Sequence, residues 1–329
     1  MRADFYNVAV IGAGELGSRH LQALALLERP IKFFVVDPSN ESLRIAKERF
    51  QQVCSIEQRE RVNFLVNVED LKENIDIAIV ATNANDRREV LEKLLNKITI
   101  RQLILEKVVF QSVEDFEAIN HLLQQKQIPA WVNCPNRLFP FYQNLKKKIN
   151  LDSPISFQVS GGNWGLGCNS IHYLDLFAFL TGTSDIHLFG GGLHSGTIDS
   201  KREGYKEFTG TLLGTTEKGD QLTFCSLPEN EAPLLIQIMT SQERYILSES
   251  DQKALSSTKD GQWKWEVEEF NILYQSQLTH LVVEEIFEKG NCSLTSLEES
   301  YVLHKTLLNV LLKHVNKFSE QIYTHCPIT

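Results

Sequence analysis

The sequence predicts an α/β protein in two parts: a doubly wound parallel sheet over residues 1–135, then an α+β domain with an open, mostly antiparallel sheet over 136–329. Three observations carry that prediction. Near-continuous apolar strands alternate with helices through the first third, as a parallel sheet covered on both faces requires. Past residue 150 the runs become strand-like, with turn signals such as "EKGD" and "KDGQ" between them. A length of 329 residues exceeds one ordinary core and suits two.

The elements follow in order. "NVAVIG" reads as a buried strand and "LGSRHLQALALL" as the helix after it. "IKFFVVD" is the second strand, and "ESLRIAKERFQQV" a helix capped by Ser39 or Asn40. "VNFLVN" is a short strand, "IDIAIVAT" a buried one followed by the helix "DRREVLEKLLNK". "QLILEKVV", the helix "VEDFEAINHLLQQK" and the strand "PAWVNCP" close the first part. In the second, strand-like runs from "PISFQVSGGNW" to "ERYILSES" are interrupted by one helix, "SIHYLDLFAFLTG", which Gly182 terminates. Two helices end the chain, "LYQSQLTHLVVEEIFEKG" and "LEESYVLHKTLLNVLLKHVNKF". An open sheet leaves one face to be covered, which predicts a homodimer or homotetramer built through it.

A formal net charge of −9 argues against nucleic acid and anionic membrane as partners. No apolar run approaches the roughly 20 residues of a membrane span. The six cysteines form no CxxC pair and no zinc spacing, so reduced thiols, a cytoplasmic location and no metal are expected.

Gly12, Gly14 and Gly17 fall where the first strand hands over to its helix, and glycines at this density need a reason. A plain turn is one. A backbone left bare for a diphosphate on the helix N-terminus is the other, with Glu15 and Leu16 adding their amides. The strand before, the helix after, and Asp37 about 20 residues on favour a dinucleotide. A carboxylate at Asp37 accepts from both ribose hydroxyls of NAD and repels a 2′-phosphate. Arg44, a turn into the next helix, keeps NADP as the alternative.

Loops after parallel strands line the ligand crevice, which brings Ala81, Thr82, Asn83 and Asn85 of "ATNAND" to the cofactor. "LEKVV" ends the fifth strand with Glu106 and Lys107, a costly pair unless it meets a cleft. A lysine there suits general acid/base work.

"VAVIGAGELGSRH", "ATNAN", the "EK" pair, "IHYLDL" and the tail "CSLTSLEESYVLHKTLL", in this order, resemble the glucose–fructose oxidoreductase/inositol dehydrogenase (Gfo/Idh/MocA) family over almost the whole chain. The resemblance implies a Rossmann domain, an open αβ domain and oxidation or reduction of a sugar, sugar nucleotide or cyclitol at a secondary hydroxyl. The family's lysine maps onto Lys107, with valine in place of the following proline, and its glutamate onto Glu106, which joins the cofactor set. The family's histidine maps onto His172. Its aspartate, four residues earlier, is here Cys168, with Asn169 as a hydrogen-bonding neighbour and Asp175 on the same helical face.

"NCPNRLFP" resembles the family's stretch after the sixth strand and places Arg137 near substrate, or else in a structural ion pair. Asn163 and Trp164 of "SGGNWGLG" suit a sugar's hydroxyls and its apolar face. The polar segment "HSGTIDSKREGYKEF" reads as a rim or a solvated loop. Two functions stay open: a dehydrogenase with Lys107 and His172 as catalytic groups, and an NAD-binding regulator of the same fold that has lost turnover. Cys168 is the argument for the second.

Overall fold

The computed structural model describes residues 5–229 and 231–329, and its contacts divide the chain into two units. The first holds the residues up to Phe110, Glu114–Asn133 and Leu273–Leu297. The second holds Gln111–Val113, Cys134–Ile272 and Glu298–Thr329. Among the described residues no helix is long and apolar enough to cross a membrane.

In the first unit, β1 (Tyr6–Ile11), α1 (Glu15–Leu24), β2 (Ile31–Val36), α2 (Asn40–Gln51), the single turn α3 (Ile56–Arg59) and β3 (Val62–Leu65) form one half. Next come β4 (Ile75–Val80), α4 (Ala84–Lys97), β5 (Ile100–Glu106), α5 (Val113–Lys126) and β6 (Ala130–Asn133). These six strands pair in parallel in the order β6-β5-β4-β1-β2-β3. Val8, Ala9, Val10 and Ile11 of the central β1 are at most 1% exposed, which explains their unbroken apolar run. Each large side chain buried this way contributes roughly 1.5–3 kcal/mol. Ser39 caps α2 by accepting from the Ser42 N–H at 3.2 Å, one of the two caps expected.

The second unit runs through α6 (Pro140–Lys148), β7 (Ser156–Gly162), α7 (Leu166–Thr181), β8 (His187–Leu193), the small hairpin β9 (Ile198–Asp199) and β10 (Lys206–Glu207), β11 (Gly210–Thr215) and β12 (Gln221–Leu227). It continues with β13 (Leu235–Met239), β14 (Glu243–Ser248), β15 (Lys253–Thr258) and β16 (Trp265–Glu269). Eight of these strands form one sheet, β16-β15-β14-β13-β7-β12-β11-β8, antiparallel except where β7 meets β12. α7 is apolar on most of its circumference and buried to match, and Gly182 ends it in the left-handed conformation.

The remaining elements are α8 (Gln275–Lys289), β17 (Thr295–Ser296) and α9 (Leu297–Phe318). Here the chain departs from the expected boundary, because Leu273–Leu297 packs with the first unit. Arg29 holds Glu284 at 2.6 Å and lies over the rings of Tyr6 and Phe287, and α8 packs along α1. β17 then adds an antiparallel edge strand beside β6. Such long-range packing leaves no local periodicity to read. The segment expected as a rim carries β9 and β10, and its last part, Glu207 and Phe208, is buried.

Candidate active site

The glycines after β1 divide the work. Gly12 has φ +92, and a Cβ there would stand 2.8 Å from the backbone of Ala81 and Thr82. A Cβ on Gly17 would lie 1.8 Å from the Gly12 carbonyl oxygen, so the loop closes only on a bare residue. Gly14 is different: nothing stands within 4 Å of its missing Cβ. That open space lies at the N-terminus of α1, where N–H groups are free to hold an anion.

Asp37 closes the loop from β2, accepting the Ala13 N–H at 2.7 Å and the Ser39 N–H at 2.8 Å. Each carboxylate oxygen keeps a lone pair for a further donor. A cavity of about 510 Å³ runs past Gly12, Gly14, Asp37, Ala81, Thr82 and Asn83. Thr82 Oγ1 is buried beside it with no hydrogen-bond partner among the described residues. A hydroxyl left so costs about 1–3 kcal/mol unless water or a ligand meets it. The bare Gly14, the Asp37 carboxylate and the orphaned Thr82 hydroxyl together fit a dinucleotide.

Glu15 and Leu16 open α1, and the Glu15 side chain is exposed, in ion pairs with Arg49 at 2.7 Å and Arg19 at 3.4 Å. In such a site they would act through their backbone amides. Asn85 is exposed and donates to Asp86 Oδ1 at 2.9 Å, and it is Asp86 that lines the cavity. Arg44 pairs with Glu41 and Glu48 on the exposed face of α2, at 2.7 and 2.5 Å. Lys93, which the sequence did not single out, does line the cavity.

At the end of β5 the chain buries a charge. Glu106 is 3% exposed, with His20 Nε2 at 2.7 Å and Asn133 Nδ2 at 2.6 Å, both on Oε1. A carboxylate only accepts, so His20 donates to it from Nε2. His20 Nδ1 meets Thr279 Oγ1 at 2.8 Å, and Gln275 of α8 bonds both Thr279 and Asn133 at 2.8 Å. Glu106 therefore faces His20 and Asn133 in the interior through Oε1. Burial alone would raise its pKa. The His20 hydrogen bond and charge, the Asn133 bond and the Lys107 charge outweigh that and hold it at about 2.

This depressed value is worth stability above the ordinary 4.5, lost as pH falls toward about 2. The whole difference comes to about 3 kcal/mol. Glu106→Gln should therefore lower the unfolding midpoint at pH 7 and flatten its fall between pH 4.5 and 2 relative to the wild type. Thermal melts across that range check it. Parallel curves for the two proteins would remove Glu106 from the acid transition.

Lys107 follows half-buried in the turn beyond β5, with Val108 and Val109 fully buried behind it.

In the second unit α7 presents Cys168, Asn169 and His172 as a half-buried stripe. Its first turn has no acid or side-chain cap of its own, and Glu207 of β10 supplies one. Glu207 accepts from Gly167 N–H at 2.6 Å and Cys168 N–H at 3.3 Å, a charge-assisted cap absent from the sequence reading. Asn169 donates to the Trp164 carbonyl at 2.8 Å, and the Trp164 indole N–H to the Cys225 carbonyl at 2.8 Å. Trp164 also packs edge-on against Tyr173 and Phe224, and Asn163 is exposed with φ +38.

Arg137 and Asp175 meet each other instead of opening to solvent. Arg137 Nε and Nη2 reach the two Asp175 oxygens at 2.8 and 2.7 Å, and Glu299 stands 3.3 Å away. They are 6% and 1% exposed. The structural alternative for Arg137 is the arrangement found, and Asp175 turns inward rather than joining the Cys168 and His172 stripe. One turn of helix further places its side chain against the 3-10 turn Pro135–Leu138.

Residues 6–134 match the model of an oxidoreductase family with an NAD-binding Rossmann fold. No curated protein matches the chain in sequence. In fold the chain is similar to UDP-N-acetylglucosamine 3-dehydrogenase GnnA from Acidithiobacillus ferrooxidans, at 15% identity and TM-score 0.71 over 93% of this chain and 97% of that one. It is similar to an oxidoreductase from Agrobacterium radiobacter in complex with NAD+, L-tartaric acid and magnesium, at 16% identity and TM-score 0.69 over 92% and 94%. The transcriptional regulator Gal80p from Kluyveromyces lactis shares the fold equally, at 16% identity and TM-score 0.69 over 96% and 90%.

Proposed function

We propose, from the match of residues 6–134 to the NAD-binding Rossmann model of the Gfo/Idh/MocA oxidoreductase family, a dehydrogenase or reductase for the whole chain. Its substrate is the secondary hydroxyl or ketone of a sugar, sugar nucleotide or cyclitol. One observation carries the reading: the Lys107 turn is bonded through Arg87 to the Thr82 loop of the cofactor cavity. An amine at that place has a reason to be there when a proton must move beside the cofactor.

When bound, NAD supplies the hydride acceptor or donor. The amides of Gly14, Glu15 and Leu16 would hold its diphosphate and Asp37 its adenosine ribose, and the Thr82 hydroxyl could find its partner there. Lys107 Nζ takes the substrate's hydroxyl proton in oxidation and returns it in reduction. The family resemblance gives His172 the part of orienting the reacting oxygen and sharing its proton. Asn163, Trp164, Cys168 and Asn169 would offer the substrate shape and weak hydrogen bonds, a thiol being only a weak donor and acceptor.

The exposed face of the eight-stranded sheet belongs to the same reading. Phe189 stands opposite Leu213 and Leu255 opposite Val267, all exposed, and a second copy in the cytoplasm would cover them.

A second reading, an NAD-binding regulator without turnover, is favoured by Cys168, where the family resemblance implies an aspartate. A panel of sugars, nucleotide sugars and cyclitols, followed by NADH absorbance with NAD(H) and NADP(H), separates the two. Turnover with a preference for NAD(H) is expected. Tight NADH binding with no turnover across the panel would give the case to the regulator.

A further inference from the structure

Arg87 lies in the first turn of α4 and is 2% exposed, among the largest side chains buried in the molecule. Its Nη1 donates to the carbonyls of Glu106 at 2.6 Å, Val108 at 2.5 Å and Val109 at 2.8 Å. Its Nη2 donates to the carbonyl of Thr82. One planar fork thus grips both sides of the position where Lys107 leaves the backbone, and with its other tine the loop that lines the cofactor cavity. Buried carbonyls need donors, and a lysine's compact ammonium could not reach four of them in this spread. A hydrophobic residue would satisfy none.

We propose that Arg87 is a positioning residue that joins the cofactor loop to the Lys107 turn, so that filling the cavity is felt at Lys107. The catalytic consequence rests on the role given above to Lys107; the mechanical coupling does not. The competing account makes Arg87 a fold-stabilising residue only, whose loss lowers the melting temperature and nothing else.

Hydrogen exchange with NADH as the probe tells them apart, in the full chain and without any substrate. In the wild type NADH should slow exchange in both 81–86 and 105–110. In Arg87→Met the slowing should persist at 81–86 and be lost at 105–110, with NADH bound about tenfold more weakly, a change of about 1.4 kcal/mol. Slowing of both segments in Arg87→Met would overturn the coupling. If that variant does not fold, Arg87→Lys carries the test: reduced slowing at 105–110 supports the clamp, and unchanged slowing overturns it. A wild type whose exchange ignores NADH would overturn the cofactor reading and the clamp with it, a result distinct from the others.

Discussion

Replacing Lys107 with methionine should lower turnover by about 10²–10⁴-fold, the usual worth of a positioned acid/base group. Methionine keeps most of the stem, so packing in the half-buried turn is retained while the proton carrier goes. The turn itself should not move, because its grip comes from Arg87 on the carbonyls at 106, 108 and 109, none of which involves the lysine side chain. NADH affinity should accordingly stay close to that of the wild type. The lysine charge is also one of the influences that hold Glu106 ionised, so its pKa should rise somewhat in the variant. Steady-state kinetics on the substrate found by the panel, with NADH binding by fluorescence, make the measurement. A variant that turns over at near the wild-type rate would end the assignment of Lys107, whatever its effect on binding.

The parallel sheet was legible because burial on both faces leaves unbroken apolar runs such as "NVAVI" and "IDIAIV", and those runs became β1 and β4. The crevice was legible for a related reason: glycine spacing and a strand-end carboxylate are local, and Gly12, Gly14, Gly17 and Asp37 meet within one βαβ unit. What stayed hidden is non-local. His20 reads as a helix residue just past the glycines, and only the fold brings it to Glu106, 86 positions away, and to Thr279, 259 away. Arg87 sits among charged residues in "NDRREVLEK" and looks like helix surface, yet it is the buried one while its half-buried neighbour Arg88 takes the ion pairs with Glu92 and Asp115. Arg137 and Asp175 were each a fair substrate candidate alone. A pairing across 38 residues consumed both.

The two glycines nearest the helix start should fail in opposite ways when replaced by alanine. At Gly17 the new methyl would meet the Gly12 carbonyl oxygen at 1.8 Å, and backbone cannot swing aside as a flexible side chain can. The loop must open, at a cost of about 3 kcal/mol or more, beyond ordinary overpacking. Gly17→Ala should therefore melt well below the wild type and, where still folded, bind NADH poorly. At Gly14 the backbone has φ −62, which alanine adopts freely, and its methyl enters open space. Stability of Gly14→Ala should stay within about 1 kcal/mol, the small loss expected for alanine at a helix cap. On the proposed function a diphosphate approaches where this methyl would stand, so NADH binding should weaken about 10–100-fold, or roughly 1.4–2.8 kcal/mol. Thermal melts without ligand and fluorescence titration with NADH make both comparisons on the same samples. If Gly14→Ala binds NADH as the wild type does, the space above Gly14 is not where the diphosphate lies. The glycines would then serve only the tight approach of the β1 loop to α1 and β4.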